Sequence, residues 1–260
     1  MKDRRCARAA LCGLLLLSAT AHAATVSHTV VARYQHCTQA FTEGLQLVGD
    51  ELFESSGLYR ESYVARTRLD CSVSGPRRAL APEVFAEGLT VLGDKAYLLS
   101  WQSGTGFVLD RDSFAIQRSF TYDGEGWGLT HDGHTLIMSD GTARLRFLDP
   151  QALQVVRTLD VKENGKALDN LNELEWIPAG VLGPQPRLLA NIWMIDQIAV
   201  IDPQTGNVTA RIDLGRLNPR RRPGEDVLNG IAFDPRDNTL LVTGKRWRYL
   251  WRLRLTDPLP

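Results

Sequence analysis

The chain has 260 residues, with 30 Lys and Arg set against 30 Asp and Glu, and four cysteines. That balance argues against a nucleic-acid binder, which would carry a strong basic excess. The length is ample for one large domain.

Residues 1–24 read as a secretory signal peptide. Lys2, Arg4, Arg5 and Arg8 form a basic start, Leu11 to Ala21 an apolar stretch, and Ala21-His22-Ala23 a small-x-small cleavage site. The apolar stretch is too short to span a bilayer. Residues 25–260 are then expected as one exported domain, periplasmic or secreted. The leader takes four basic and one acidic residue from the neutral chain, leaving a net charge of −3. No later stretch is long and apolar enough to cross a membrane, so none is expected to hold the processed chain. Cys6 and Cys12 leave with the leader, and Cys37 and Cys71 remain. In an exported chain such a pair invites a disulfide. Two small buried thiols are the alternative, and the sequence leaves that choice open.

The rest of the chain reads as strands, with no convincing long amphipathic helix. Residues 26–34 are β-branched and extended in character. A first unit follows at 45–48, 51–55 and 63–69, with turns at Gly49-Asp50 and Ser56-Gly57. A second occupies 89–92, 96–101, 106–110 and 116–122. A third takes 129–131, 135–139, 144–148 and 155–161. The fourth has 174–177, 188–193, 198–201 and 208–214, and the last 231–233, 240–243 and 249–255. Insertions at 179–186 and 215–226 interrupt the rhythm. The second carries Arg220-Arg221-Arg222, read either as a solvated loop or as a rim that attracts acidic peptides.

A short text recurs through these units: Phe41-Thr42-Glu43-Gly44-Leu45, Phe85-Ala86-Glu87-Gly88-Leu89, Trp127-Gly128-Leu129, Leu171-Asn172-Glu173-Leu174 and Leu228-Asn229-Gly230-Ile231. Aligned on Gly-Leu, it puts Glu43, Glu87, Trp127, Asn172 and Asn229 in one structural slot, at steps of 44, 40, 45 and 57 residues. A period of that size signals a propeller or solenoid. Most units offer about four short strands, the content of a propeller blade. The fifth unit offers three, so the leading strand at 26–34 is expected to supply its fourth and close the ring. The expected fold is all-β, a five-bladed β-propeller closed by its N-terminal strand.

In a propeller the innermost strands line a central channel, so the five slot residues should converge at one channel mouth. The ends of the next strands, with Trp101, Trp193 and Lys245, should neighbour them. A carboxylate among aromatic walls tends toward a raised pKa, which suits proton transfer near neutral pH. Other readings stay open. Glu43 and Glu87 could only cap strand N–H groups, Lys245 could be a solvated rim residue, and Asn172 and Asn229 could be turn residues. Trp176 and Trp251 are expected in the core. There is no His-Glu-x-x-His, Cys-x-x-Cys or Gly-x-Ser-x-Gly, and His28, His36, His131 and His134 are scattered rather than zinc-like. A channel ring of Glu, Asn and carbonyl oxygens could hold Ca²⁺. A non-catalytic peptide-binding or scaffolding propeller, and a lactonase-like propeller using such an ion, are the competing classes.

The ordered set FTEGL, LFESSGLY, FAEGLT, TGFVLDR, GWGLTHDG, SDGT, LNELEW, ANIWMIDQIAVIDP, DVLNGIAFD and VTGKRW spans nearly the whole chain after the leader. It resembles the plant- and bacterial-type glutaminyl cyclases, a five-bladed family. The resemblance implies conversion of N-terminal glutaminyl residues of peptides and proteins to pyroglutamate with release of ammonia. It implies Glu87 as acid/base, with Asn172 and Lys245 as further catalytic residues. Trp101, Trp127, Trp193, Glu43 and Asn229 are expected to bind substrate. Glu43 departs from plant relatives that carry glutamine in its slot, so it is assigned to binding. No cofactor is expected for the reaction. A structural divalent cation in the channel, as in the plant enzymes, is allowed for. The chain is expected to be a monomer.

Overall fold

The computed structural model describes residues 23–36 and 40–260. Every helix-or-strand element among them is a strand. β1 (Ala24–Thr25) and β2 (His28–Gln35) come first. Blade one is β3 (Thr42–Val48), β4 (Glu51–Ser56), β5 (Tyr63–Thr67) and β6 (Val73–Ala79). Blade two is β7 (Ala86–Leu92), β8 (Lys95–Ser100), β9 (Thr105–Asp110) and β10 (Ile116–Thr121). Blade three is β11 (Leu129–His131), β12 (Leu136–Met138), β13 (Arg144–Leu148) and β14 (Val155–Asp160). A small hairpin, β15 (Lys162–Glu163) with β16 (Lys166–Ala167), leads to blade four: β17 (Leu171–Ile177), β18 (Arg187–Ile192), β19 (Gln197–Ile201) and β20 (Val208–Asp213). Blade five holds β21 (Leu228–Asp234), β22 (Thr239–Gly244) and β23 (Tyr249–Leu255), and β2 is its fourth strand. The five-bladed, all-β propeller expected from the repeat is thus the fold.

Closure is antiparallel, running from His28 opposite Leu255 to Gln35 opposite Tyr249. β1 adds a clasp that the sequence did not suggest, pairing parallel with β20 of blade four. A second difference is β6, which was not expected as a strand. It contains Gly75-Pro76, and its outermost position spares the proline a missing ladder bond. Cys71 is disulfide-bonded. Its partner falls outside the described residues, as do Cys37 and residues 1–22 of the expected leader. No helix among the described residues is long and apolar enough to cross a membrane.

The core lies between the blades. Successive residues of a strand point to opposite sheet faces, so a strand between two neighbours is apolar on both. β8 shows this: Leu98 packs with Phe53 and Val64 of blade one, while Tyr97 and Leu99 pack with Leu136 and Met138 of blade three. Equivalent clusters join blades three and four, four and five, and five and one. Trp176 and Trp251, expected in the core, are half-buried and pack against two of them.

Candidate active site

The recurring Glu-Gly-Leu text has a structural cause. The innermost strands of blades one, two, four and five slip in register against their neighbours between Thr42 and Gly44, Ala86 and Leu89, Leu171 and Leu174, and Leu228 and Ile231. Such irregularities re-aim side chains out of the ladder. They act here on Glu43, Glu87, Asn172 and Asn229. The glycine is imposed by the adjoining blade: a methyl on Gly88 would sit 2.6 Å from the Trp127 carbonyl oxygen, and methyls on Gly44 and Gly128 would collide with Leu89 N and Asn172 O. Blade four has Glu173 instead. Its carboxyl accepts the N–H groups of Leu45, at 3.3 Å, and Ile231, at 2.8 Å, in blades one and five.

All five seams are hydrogen-bonded at this level. Ser55 Oγ donates to Glu87 O, Gly88 N to Trp127 O, and Ser139 Oγ to Asn172 O. Gly230 N donates to Asn191 Oδ1, and Asn229 Nδ2 to Thr42 O. The slot residues therefore come from five strands locked into one ring.

Beside this ring lies a cavity of about 260 Å³. Glu43, Glu87, Asn172 and Lys245 meet there with Trp101, Trp127 and Trp193. The structure thus brings together seven of the eight residues singled out from sequence. Asn229 is the exception. It is fully buried, is not part of the cavity wall, and its Nδ2 donates to Glu43 Oε2 at 3.1 Å. It holds Glu43 rather than lining the cavity, because its amide N–H groups go to Glu43 and to Thr42 O in the ring seam.

Lys245 Nζ is 2.7 Å from Glu43 Oε1 and 4.8 Å from the Phe41 ring centroid. Its charge is therefore committed to Glu43, leaving Glu87 as the protonated partner. Burial pushes the Glu87 carboxyl well above the usual range, and the Glu43 charge pushes it further, against a smaller opposing pull from Lys245. Burial also raises Glu43, to about 7, with Lys245 offsetting much of the effect. The two carboxyls hydrogen-bond each other, which stabilises the charged form of Glu43 and the neutral form of Glu87. Asn172 is 3 % exposed, and its Oδ1 has no hydrogen-bond partner among the described residues. A buried acceptor left open is costly, and here it sits in the cavity wall.

Four further wall residues escaped the sequence reading: Phe41, Leu58, Phe85 and Asp226. Phe41 and Phe85 carry a signal, since each opens its copy of the repeat. Their rings meet edge-on at 6.3 Å, and Phe85 lies 5.4 Å from Trp101. Glu125 was also missed. One of its oxygens accepts both the Trp101 and Trp127 indole N–H groups at 2.8 Å, fixing two walls at once. Trp193 stands edge-on to Trp127 at the mouth.

The channel beyond does not fit the divalent cation that the resemblance allows for. Glu173 spends both oxygens on backbone N–H groups, and Glu175 spends its own on Phe233 N–H and the Thr130 hydroxyl. Burial drives both carboxyls toward the neutral form, Glu175 to about 8. Among the described residues no three His, Cys, Asp or Glu side chains converge.

Comparison with known proteins places this geometry. Residues 7–255 match the family described as glutamine cyclotransferase. The chain is 38% identical over 232 residues, 87% of its length and 70% of the relative's, to a glutaminyl-peptide cyclotransferase of Arabidopsis thaliana. The crystal structure of Myxococcus xanthus glutaminyl cyclase matches with a TM-score of 0.80 at 31% identity, covering 92% of this chain and 100% of that one. The chain belongs to the glutamine cyclotransferase family.

Proposed function

We propose that this chain is a glutaminyl-peptide cyclotransferase in which Glu87 is the acid/base. The observation that carries the reading is the proton-sharing pair of Glu43 and Glu87, with Lys245 on one side of it and tryptophan walls around it. The substrate's α-amine attacks its own side-chain γ-carbonyl carbon, a new C–N bond forms, and the original C–N bond breaks to release ammonia. A confined pocket favours the curled conformer, an orientation effect. Glu87 presents its proton to the departing nitrogen and regains one from the attacking amine, so the enzyme returns unchanged. Glu43, made the more acidic of the pair by Lys245, keeps that proton on Glu87 between turnovers. Lys245 Nζ and the Asn172 Nδ2–H group donate to the carbonyl oxygen, where negative charge develops. The step needs no cofactor. A scaffolding propeller would have no use for a buried carboxyl pair opening into a cavity, and a lactonase-like one would need the cation site that the channel residues do not form.

Mass spectrometry of a glutaminyl dipeptide incubated with the protein tests this. Loss of ammonia is expected with wild type. Glu87→Gln should fold normally and lose about 10²–10⁴-fold in kcat, the usual contribution of general acid–base catalysis. Near-normal turnover by Glu87→Gln would move the acid/base elsewhere. Absence of reaction above the spontaneous background, from folded wild type, would sink the cyclotransferase reading.

A further inference from the structure

A second cavity of about 370 Å³ shares two walls, Phe41 and Leu58, with the first. It runs outward between the β4–β5 connection of blade one and the β22–β23 turn of blade five. Arg60, Arg77 and Arg246 line it, against a single carboxylate, Glu61. Glu61 pairs with Arg246, at 3.6 Å. Arg77 lies over the Tyr63 ring at 3.7 Å. Among the described residues neither Arg60 nor Arg77 has an ion-pair partner. The Phe41 ring connects the two spaces, lying 4.8 Å from Lys245 Nζ and 5.9 Å from the Arg246 guanidinium.

The backbone here is held in an unfavourable form. Ten described non-glycine residues have positive φ, and three of them, Leu58 at 88°, Arg60 at 70° and Arg246 at 58°, line this one groove. Such residues persist only where surrounding structure overdetermines them, and they gather at functional sites. The surroundings do so here. Arg60 N donates to Pro82 O, Glu61 N to Leu58 O, and Arg246 N to Ala40 O. Ser62 Oγ donates to Leu58 O and accepts from Ala86 N, the residue before Glu87. Strain thus fixes the exposed guanidinium groups of Arg60 and Arg246 beside the pocket rather than letting them relax into solvent.

We propose that this groove is the subsite for the residues following the N-terminal glutamine, and that it selects acidic side chains there. The inference rests on the cyclotransferase reading. A peptide whose first residue fills the inner cavity must leave through its open side, and the groove begins at two of that cavity's own walls. Three guanidinium groups against one carboxylate suit an anionic segment. Arg is the residue for this task, because its fork can clasp a carboxylate bidentately.

The test compares kcat/KM for three peptide amides of equal length, with Glu-Glu, Ala-Ala or Lys-Lys after the N-terminal glutamine. At low salt the acidic peptide should exceed the lysine peptide by about three- to tenfold, as expected for a few exposed charge pairs. The ratio should narrow at high salt, where such pairs are screened. The double variant Arg60→Gln/Arg77→Gln should bring the ratio toward one. Ratios within one preparation do not depend on the fraction folded, so a destabilised variant still reports. Equal kcat/KM for all three peptides, or a ratio that survives both substitutions, overturns the groove while leaving cyclisation intact. No ammonia from any peptide overturns the cyclotransferase reading, and the groove with it.

Discussion

Removing a single charge at Glu43 separates the roles of the two buried carboxyls. Glu87 is held protonated by burial and then by the Glu43 charge, with Lys245 pulling the other way. Glu43→Gln deletes the second contribution and leaves Lys245, 2.7 Å from the replaced group, free to act on Glu87. Both changes lower the Glu87 pKa. A step that uses protonated Glu87 then fails at lower pH, so the alkaline limb of the kcat–pH profile should move down by about 1–3 units, the usual reach of a neighbouring charge. A limb that stays in place would mean that another group sets it. The recurring slot and the family resemblance suggested Glu43 and Glu87 as site carboxylates. Their unequal protonation was not readable, because it depends on which of them Lys245 reaches. Glu125 stayed hidden for a similar reason: nothing in Gly124-Glu125-Gly126-Trp127 says that one oxygen will hold two indoles from different loops.

The element that decides whether a blade fits its neighbour is the innermost strand, and Gly88 tests it. Its N–H donates to Trp127 O at 2.6 Å, and an added methyl would lie the same distance from that oxygen. Gly88→Ala should therefore force the seam between blades two and three apart, costing about 1–3 kcal/mol for overpacking and about 1 kcal/mol more for the stretched hydrogen bond. Gly93→Ala is the control. At φ 66° with nothing within 4 Å, it should cost only the left-handed backbone penalty of about 1–2 kcal/mol. Urea denaturation distinguishes them, and equal losses would show that contact at the seam is not what requires glycine. The same close approach made the fold legible, since a glycine dictated by the adjoining blade at Gly44, Gly88 and Gly128 leaves a period in the sequence. Elements without such a constraint were missed. β6 interrupts its strand-like text with Gly75-Pro76, and β1 is two residues long and pairs with blade four only once the ring exists.

At the scale of the whole molecule, ring closure brings together residues that sequence separates widely: Lys245 and Glu43 are 202 positions apart. Closure also buries carboxyls along the channel, which sets how stability follows pH. Glu173 and Glu175 are raised by burial, Glu175 to about 8, and Glu43 and Glu87 are raised as well. A carboxyl raised in the folded state binds more protons there than in the unfolded chain, so stability declines as pH climbs from about 4.5 to the folded value. His36 runs in the same direction. Burial lowers its pKa, but Glu54, at 2.8 Å, more than offsets this, so its contribution too is lost as pH rises through the folded pKa. Asp234, lowered to about 2 against its burial by Arg236 and Arg252, has the opposite sign but acts only below about 4. The urea midpoint should therefore fall between about pH 5 and pH 8. Glu175→Gln keeps an acceptor for Phe233 N–H and cannot ionise. It should match wild type near pH 5 and exceed it near pH 8, by on the order of a few kcal/mol. A wild-type midpoint that holds or rises across that range would mean that the channel carboxyls are ionised in the folded protein. Their negative charge would then have to be met by a cation that the hydrogen-bonded donor set does not provide for.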